Sequence, residues 1–142
     1  MINQISVFLE NRSGQLLEIT SILKDANINM RAISIAETNE YGIIRLITDQ
    51  PEYTVEVLKK EGFVAAMSEV LVVPVLDKVG GLNAMLKVMA DENVNIQYMY
   101  SIFEKNNDET YMAINVDDPE KVTEVLEKHD MKPVMPSEIG IS

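Results

Sequence analysis

Six consecutive residues, Asn11-Arg12-Ser13-Gly14-Gln15-Leu16, hold the most promising chemistry in the chain. They follow an apolar run from Ile5 to Leu9 and precede a segment with helical spacing, so a strand turns into a helix here. Gly14 gives the backbone room to bend close to the new helix. The first amides of a helix lack intrahelical acceptors and carry partial positive charge, which suits a carboxylate or another small anion. About a dozen residues on, polar amides interrupt an apolar pattern in Asn27-Ile28-Asn29-Met30. Both features recur, as Asp77-Lys78-Val79-Gly80-Gly81-Leu82 and Asn93-Val94-Asn95-Ile96. Other chemistry is scarce. There is no Cys, and the single histidine, His129, falls near a helix end, where a partial positive charge is welcome. The sequence offers no nucleophile–base pair, no metal-ligand cluster and no phosphate-binding glycine loop. No catalytic residue, metal or cofactor is therefore expected.

Composition narrows the partners. The chain has 142 residues, with 12 Lys and Arg against 23 Asp and Glu, a formal net charge of −11. That excess of acid argues against nucleic acid, whose phosphates are held by Lys and Arg, and against an anionic membrane surface. No apolar run approaches the roughly 18–20 residues of a membrane span. Met1-Ile2-Asn3-Gln4 lacks the basic start of a signal peptide, and the absence of Cys fits a reducing compartment, so a cytoplasmic protein is expected. A hydrophobic share of 46% with 25% charged residues is that of a folded globular chain.

The elements that must position these loops follow from periodicity. Ile5, Val7 and Leu9 alternate with polar residues as in a strand with one buried face. Leu16, Ile19, Leu23 and Ala26 then fall at helical spacing. Residues 29 to 37 alternate again, Asn39-Glu40-Tyr41-Gly42 signals a turn, and 43 to 48 make a further strand. Asp49-Gln50-Pro51-Glu52 opens a helix, with Asp as the cap and Pro in the first turn, and Gly62 stops it. Residues 63 to 67 complete the set as a fourth strand. From Val70 the order restarts: a strand over 70–75, a helix marked by Leu82, Met85, Leu86 and Met89, strands over 95–104 and 110–116 around the turn Lys105-Asn106-Asn107-Asp108, a helix opened by Asp117-Asp118-Pro119-Glu120, and a last strand over 131–135. The nine Met residues read as core filling. Gly14, Leu16, Asn27 and Asn29 map onto Gly80, Leu82, Asn93 and Asn95 by a constant shift of 66 residues. Asp49-Gln50-Pro51-Glu52 maps onto Asp117-Asp118-Pro119-Glu120 by 68. Two constant offsets over separate blocks mark an internal duplication.

The expected fold class is α+β, with two ferredoxin-like βαββαβ units in tandem over 1–69 and 70–142, each an antiparallel sheet with helices on one face. Pro133 and Pro136 suit a strand at a sheet edge; Pro74 fits a central strand less easily.

With this order in place, the chain resembles a tandem ACT-domain protein. Asn11-Arg12-Ser13-Gly14-Gln15-Leu16 is similar to the family's Asn/Asp-Arg-Pro-Gly-x-Leu loop, with Ser13 in the place of proline. Asn27-Ile28-Asn29-Met30 is similar to its Gly-(Val/Ile)-Asn-Ile segment, with Asn27 in the place of glycine. Asn95-Ile96-Gln97-Tyr98-Met99-Tyr100 is close to a sequence common in bacterial tandem ACT proteins, although Lys78-Val79 stands where Arg-Pro is usual.

The resemblance implies a small-molecule ligand, most often an amino acid, held near the first strand–helix loop and the start of the second strand. By position it implicates Asn11, Arg12, Ser13, Gly14, Gln15 and Leu16 with Asn29 and Met30, and Asp77, Lys78, Val79, Gly80, Gly81 and Leu82 with Asn95 and Ile96. Amides at Gly14-Gln15 or Gly80-Gly81 can donate to a ligand carboxylate, and Asn11, Asn29 or Asp77 can accept from its ammonium. The implied function is a stand-alone, non-catalytic regulatory or sensor module for a free amino acid. The alternative is a non-catalytic regulatory subunit that binds a metabolic enzyme. Exposed sheet edges add the expectation of a homodimer or another homo-oligomer.

Overall fold

In the computed structural model, which describes residues 1–10, 12–37, 41–106 and 108–141 and only the backbone of 104–106, the sequence order of strands and helices is largely realised. The elements are β1 (Ile2–Glu10), α1 (Gln15–Asp25), β2 (Met30–Glu37), β3 (Tyr41–Thr48), α2 (Pro51–Lys60), β4 (Val64–Leu76), α3 (Gly81–Asp91), β5 (Ile96–Asn106), β6 (Glu109–Val116) and α4 (Pro119–Lys128), followed by a 3-10 turn, Pro136–Ile139. Asn39 and Glu40 of the first expected turn and Asn107 of the second lie outside the described residues. Lys105 and Asn106 of that second turn belong to β5.

The chain divides into two compact units. Asn3–Glu69, joined by the last residues from Gly140, form the first, and Met1–Ile2 with Val70–Ile139 form the second. In the first unit the strands run in the order β2-β3-β1-β4. That is the arrangement of a βαββαβ unit, with β3 antiparallel to both β1 and β2. In the second, the order is β5-β6-β4, with β6 antiparallel to both neighbours.

Alternation assigns the faces. In the first unit Ile5, Val7, Ile44 and Leu46 point toward α1 and α2, where Ile19, Leu23 and Leu58 close the core. A bulge between Met30 and Ala32 lets both Met30 and Ile33 join that face. In the second unit Leu71, Val73, Val75 and Ile114 meet Met85, Met89, Val122 and Leu126. Both helical methionines are therefore core.

Both α2 and α4 begin with proline, which needs no N–H at that position. Their caps differ from the expectation in one half. Asp118 caps α4, its side chain accepting from the Lys121 N–H at 3.2 Å. The corresponding residue before α2 is Gln50, and its side chain makes no cap bond. Asp49 instead accepts from the Asn29 N–H at 3.0 Å and so fastens the start of β2.

Asn27 and Asn93 take a local structural role. Both have left-handed backbones, φ 56° and 57°. Each sits just past a helix end that closes with paired bonds, Asn27 N–H to Lys24 and Ile28 N–H to Leu23, and Asn93 N–H to Ala90 and Val94 N–H to Met89. This is the helix-terminating turn usually given to glycine, and Gly62 fills it after α2 with φ 91°.

Two strand expectations are corrected. The strands placed at 63–67 and 70–75 are a single strand, β4. The strand placed at 131–135 does not form; one ladder bond survives, from the Val134 N–H to the Val72 carbonyl at 2.8 Å. Pro74 accounts for this. Residues two apart on a strand address the same edge, so Pro74 faces the edge that Val72 offers to Val134 and has no N–H to give there. Pro74 also pairs with Tyr111 of β6 without interrupting that register.

Candidate functional site

The first unit builds its site where β1 hands over to α1. Asn11 lies outside the described residues. Arg12 folds back: its N–H donates to the Glu10 carbonyl at 2.9 Å, and its guanidinium reaches Glu18 at 3.1 Å and Glu10 at 3.6 Å. These pairs are exposed, so they orient the side chain more than they stabilise the fold. Gly14 follows with φ 83°, a left-handed backbone, and serves as the cap position of α1. Its carbonyl accepts the first helical bond, from the Glu18 N–H at 3.0 Å. Among the described residues no side chain caps α1. The amides of Gln15, Leu16 and Leu17 thus come before the first helical bond and point out of the helix as donors.

The helix start opens onto a hollow of about 260 Å³. Ser13, Gly14, Gln15 and Leu16 form one wall, and Leu9, Ile35 and Tyr41 give it an apolar lining. Glu10, Arg12 and Glu37 supply its charge. The sheet register explains why Ile35, Glu37, Tyr41 and Gly42 are here: Glu10 pairs with Tyr41, Leu9 with Gly42, and Gly42 in turn with Glu37. The β2–β3 hairpin therefore ends beside the loop. On the other side of the loop a second hollow, about 330 Å³, is bordered by Phe8, Glu18, Glu61 and Phe63. Gln15 lines both.

Gln15 is unusual. It is one of four buried polar residues among those described, only 6% exposed. Gln4 bonds Ser68, and Thr48 and Thr54 bond each other. The Gln15 Oε1 is buried with no hydrogen-bond partner among the described residues. An unsatisfied buried acceptor costs about 1–3 kcal/mol.

The same register separates the other residues that the sequence grouped here. Asn29 and Met30 stand at the opposite end of β2, where Met30 pairs with Thr48 and the Asn29 backbone is tied to Asp49. Met30 and Glu37 are seven residues apart along the strand, roughly 23 Å. The second unit repeats the separation. Its loop adjoins Asp108 and Glu109, with the Asp77 N–H bonded to the Asp108 carbonyl at 2.6 Å. Asn95 and Ile96 instead precede Gln97, which bonds Asp117 at the far end.

The second loop is also closed differently. Gly80 matches Gly14, with φ 84° and no side-chain cap on α3. Position 81, the counterpart of Gln15, is a glycine pressed against the strand end: a Cβ there would lie 1.9 Å from the Leu76 carbonyl oxygen. The Gly81 N–H is already bonded to the Lys78 carbonyl at 3.0 Å, and Val79 is wholly exposed. The strand end thus occupies the space beside Gly81. Among the described residues no group of three or more His, Cys, Asp or Glu is arranged to hold a metal ion, and no helix is long and apolar enough to cross a membrane.

Comparison with known proteins agrees with this architecture. The family model described as ACT domain pair matches residues 1–139. A solved protein from Bacteroides thetaiotaomicron, BT0572, is similar at 33% identity and a TM-score of 0.89, covering 98% of this chain and 95% of its own. The regulatory subunit of aspartate kinase from Thermus thermophilus shares the fold at 13% identity and a TM-score of 0.66, over 89% of this chain and 91% of its own. The corresponding subunit from Thermus flavus gives 13% identity and 0.60, over 88% of each chain. No curated protein matches. The chain belongs to the ACT domain family, as a tandem pair.

Proposed function

We propose that this tandem ACT protein is a non-catalytic regulatory module that binds a free amino acid at the β1–α1 loop of its first unit. One observation carries the reading: α1 begins with no capping side chain among the described residues and opens onto a hollow of small-ligand size. Its free amides suit a ligand carboxylate, which the helix dipole favours by roughly 0.3–1 kcal/mol. Arg12, Ser13, Gly14, Gln15 and Leu16 line the ligand, with Asn11 beside them in the chain. The second loop, Asp77 to Leu82, is scaffold, because the Leu76 carbonyl fills the space beside Gly81. Asn29, Met30, Asn95 and Ile96 lie at the far end of their own sheets and reach a ligand when a neighbouring copy presents them. Strand β2 ends the first unit's sheet order and offers an edge for such a homodimer. The module works in the cytoplasm, in keeping with a chain without Cys.

The alternative, a subunit acting on a partner enzyme, draws on that same free edge and on the fold shared with regulatory subunits of aspartate kinase. Thermal unfolding against each of the twenty amino acids separates the two. A ligand at 100 times its dissociation constant stabilises by about 2.7 kcal/mol, a rise of roughly 5–10 °C in the midpoint. Such a rise with one amino acid, or one chemical group of them, supports the sensor. A flat response to all twenty contradicts it, and co-purification with a catalytic chain then establishes the subunit.

A further inference from the structure

We infer that Gln15 is the specificity-determining residue of the first loop, its amide oxygen accepting from the α-ammonium of an amino acid with an apolar side chain. The inference rests on the ligand reading above and adds to it the residue and the ligand class. Gln15 Oε1 is a buried acceptor that no group among the described residues satisfies, on a residue 94% withdrawn from solvent and lining the hollow at the helix start. A carbonyl oxygen accepts and cannot donate, so its complement is an N–H. The exposed amides of the first turn offer the opposite complement, donors for an anion. A ligand that satisfies both carries an anion and an N–H donor side by side, and an α-amino acid has them on one carbon.

The walls define the side chain. Leu9, Ile35 and Tyr41 are apolar, and Arg12, the only cation among the described lining residues, is already engaged with Glu10 and Glu18. An acidic side chain would find no free cation there, and the remaining carboxylate, Glu37, lies exposed to water. An apolar side chain of leucine or phenylalanine size meets these walls without stranding a charge. The counterpart position in the second unit is Gly81, which has no acceptor to offer.

The test is isothermal titration of the whole chain with L-leucine, L-methionine and L-phenylalanine, with the 2-oxo acid of each, and with L-glutamate and L-lysine. Wild type is compared with Gln15→Leu and Gln15→Met, two variants of similar size that lack the acceptor, and with Gln15→Glu, which keeps one. At least one apolar amino acid is expected to bind wild type tenfold or more tightly than its 2-oxo acid and than the charged amino acids. Gln15→Leu and Gln15→Met are expected to weaken the amino acid at least tenfold, to bring amino and oxo acids to equal affinity, and to raise the unliganded melting midpoint. Gln15→Glu is expected to keep the preference for the ammonium. Equal binding of amino and oxo acids by wild type, selective binding of a charged amino acid, or unchanged affinity in the folded variants overturns the inference while leaving amino-acid binding in place. Failure of all twenty amino acids to raise the unfolding midpoint of wild type, with none of the five binding in the titration, overturns both.

Discussion

Replacing Gly81 by alanine adds one methyl group to the start of α3 and tests the contrast between the two loops. The new Cβ would lie 1.9 Å from the Leu76 carbonyl oxygen and 2.9 Å from its carbon. Both are backbone atoms of β4, in the strand end that pairs Leu76 with Glu109. The strain cannot be relieved by turning a side chain, so it stands at the upper end of overpacking, about 3 kcal/mol. Shifting the loop also breaks the Lys78–Gly81 bond, about 1 kcal/mol more. Alanine's better helix propensity offsets ~0.5–1 kcal/mol of this. The net loss is about 3 kcal/mol, a fall of roughly 6–12 °C in the midpoint of unfolding. Gly80→Ala is the control. Nothing lies within 4 Å of its Cβ, so it meets only the cost of a left-handed backbone, about 1–2 kcal/mol. Thermal and urea denaturation of the two variants side by side make the comparison. Should Gly81→Ala lose no more stability than Gly80→Ala, the second loop is not closed by its own strand end, and the case for a single site per chain fails.

Two further sets of substitutions test the local devices within each unit. Asn27→Gly and Asn93→Gly should leave stability unchanged or slightly raised, whereas the alanine variants should lose about 1 kcal/mol, because both positions have left-handed backbones; urea titration distinguishes these outcomes. Asp118→Ala should cost about 1 kcal/mol through loss of the α4 cap, while Gln50→Ala, at the matching position without a cap bond, should change the urea midpoint little.

Much of the fold was legible in local pattern. Both helix starts at Pro51 and Pro119, the stop at Gly62 and the inward methionines of α3 follow from turn chemistry and periodicity alone. The missing last strand did not, because its failure depends on which edge of β4 Pro74 faces, and that is fixed only once Val72 is seen to bond Val134. The loop that borders the hollow stands out in the sequence, whereas the other residues that line it do not. Asn29 and Asn95 drew attention as polar residues in apolar runs, yet they mark strand starts remote from the loops. The residues that do arrive, Ile35, Glu37, Tyr41 and Gly42, carried a usable signal: a strand entering the loop ends beside the hairpin joining its antiparallel neighbours. The orphaned oxygen of Gln15 left no trace in the sequence, since burial and the lack of a partner arise only from packing.

The central claim, that a free amino acid binds at the first loop, is tested most directly by amide chemical-shift mapping of the whole chain. The titrant is the amino acid that gives the largest thermal shift among the twenty. The account predicts saturable changes at Gly14, Gln15, Leu16 and Leu17 and at Ile35, Glu37 and Tyr41, with Asp77 to Leu82 unmoved. Changes confined to Asp77–Leu82, or a spectrum unmoved at millimolar ligand, would contradict it.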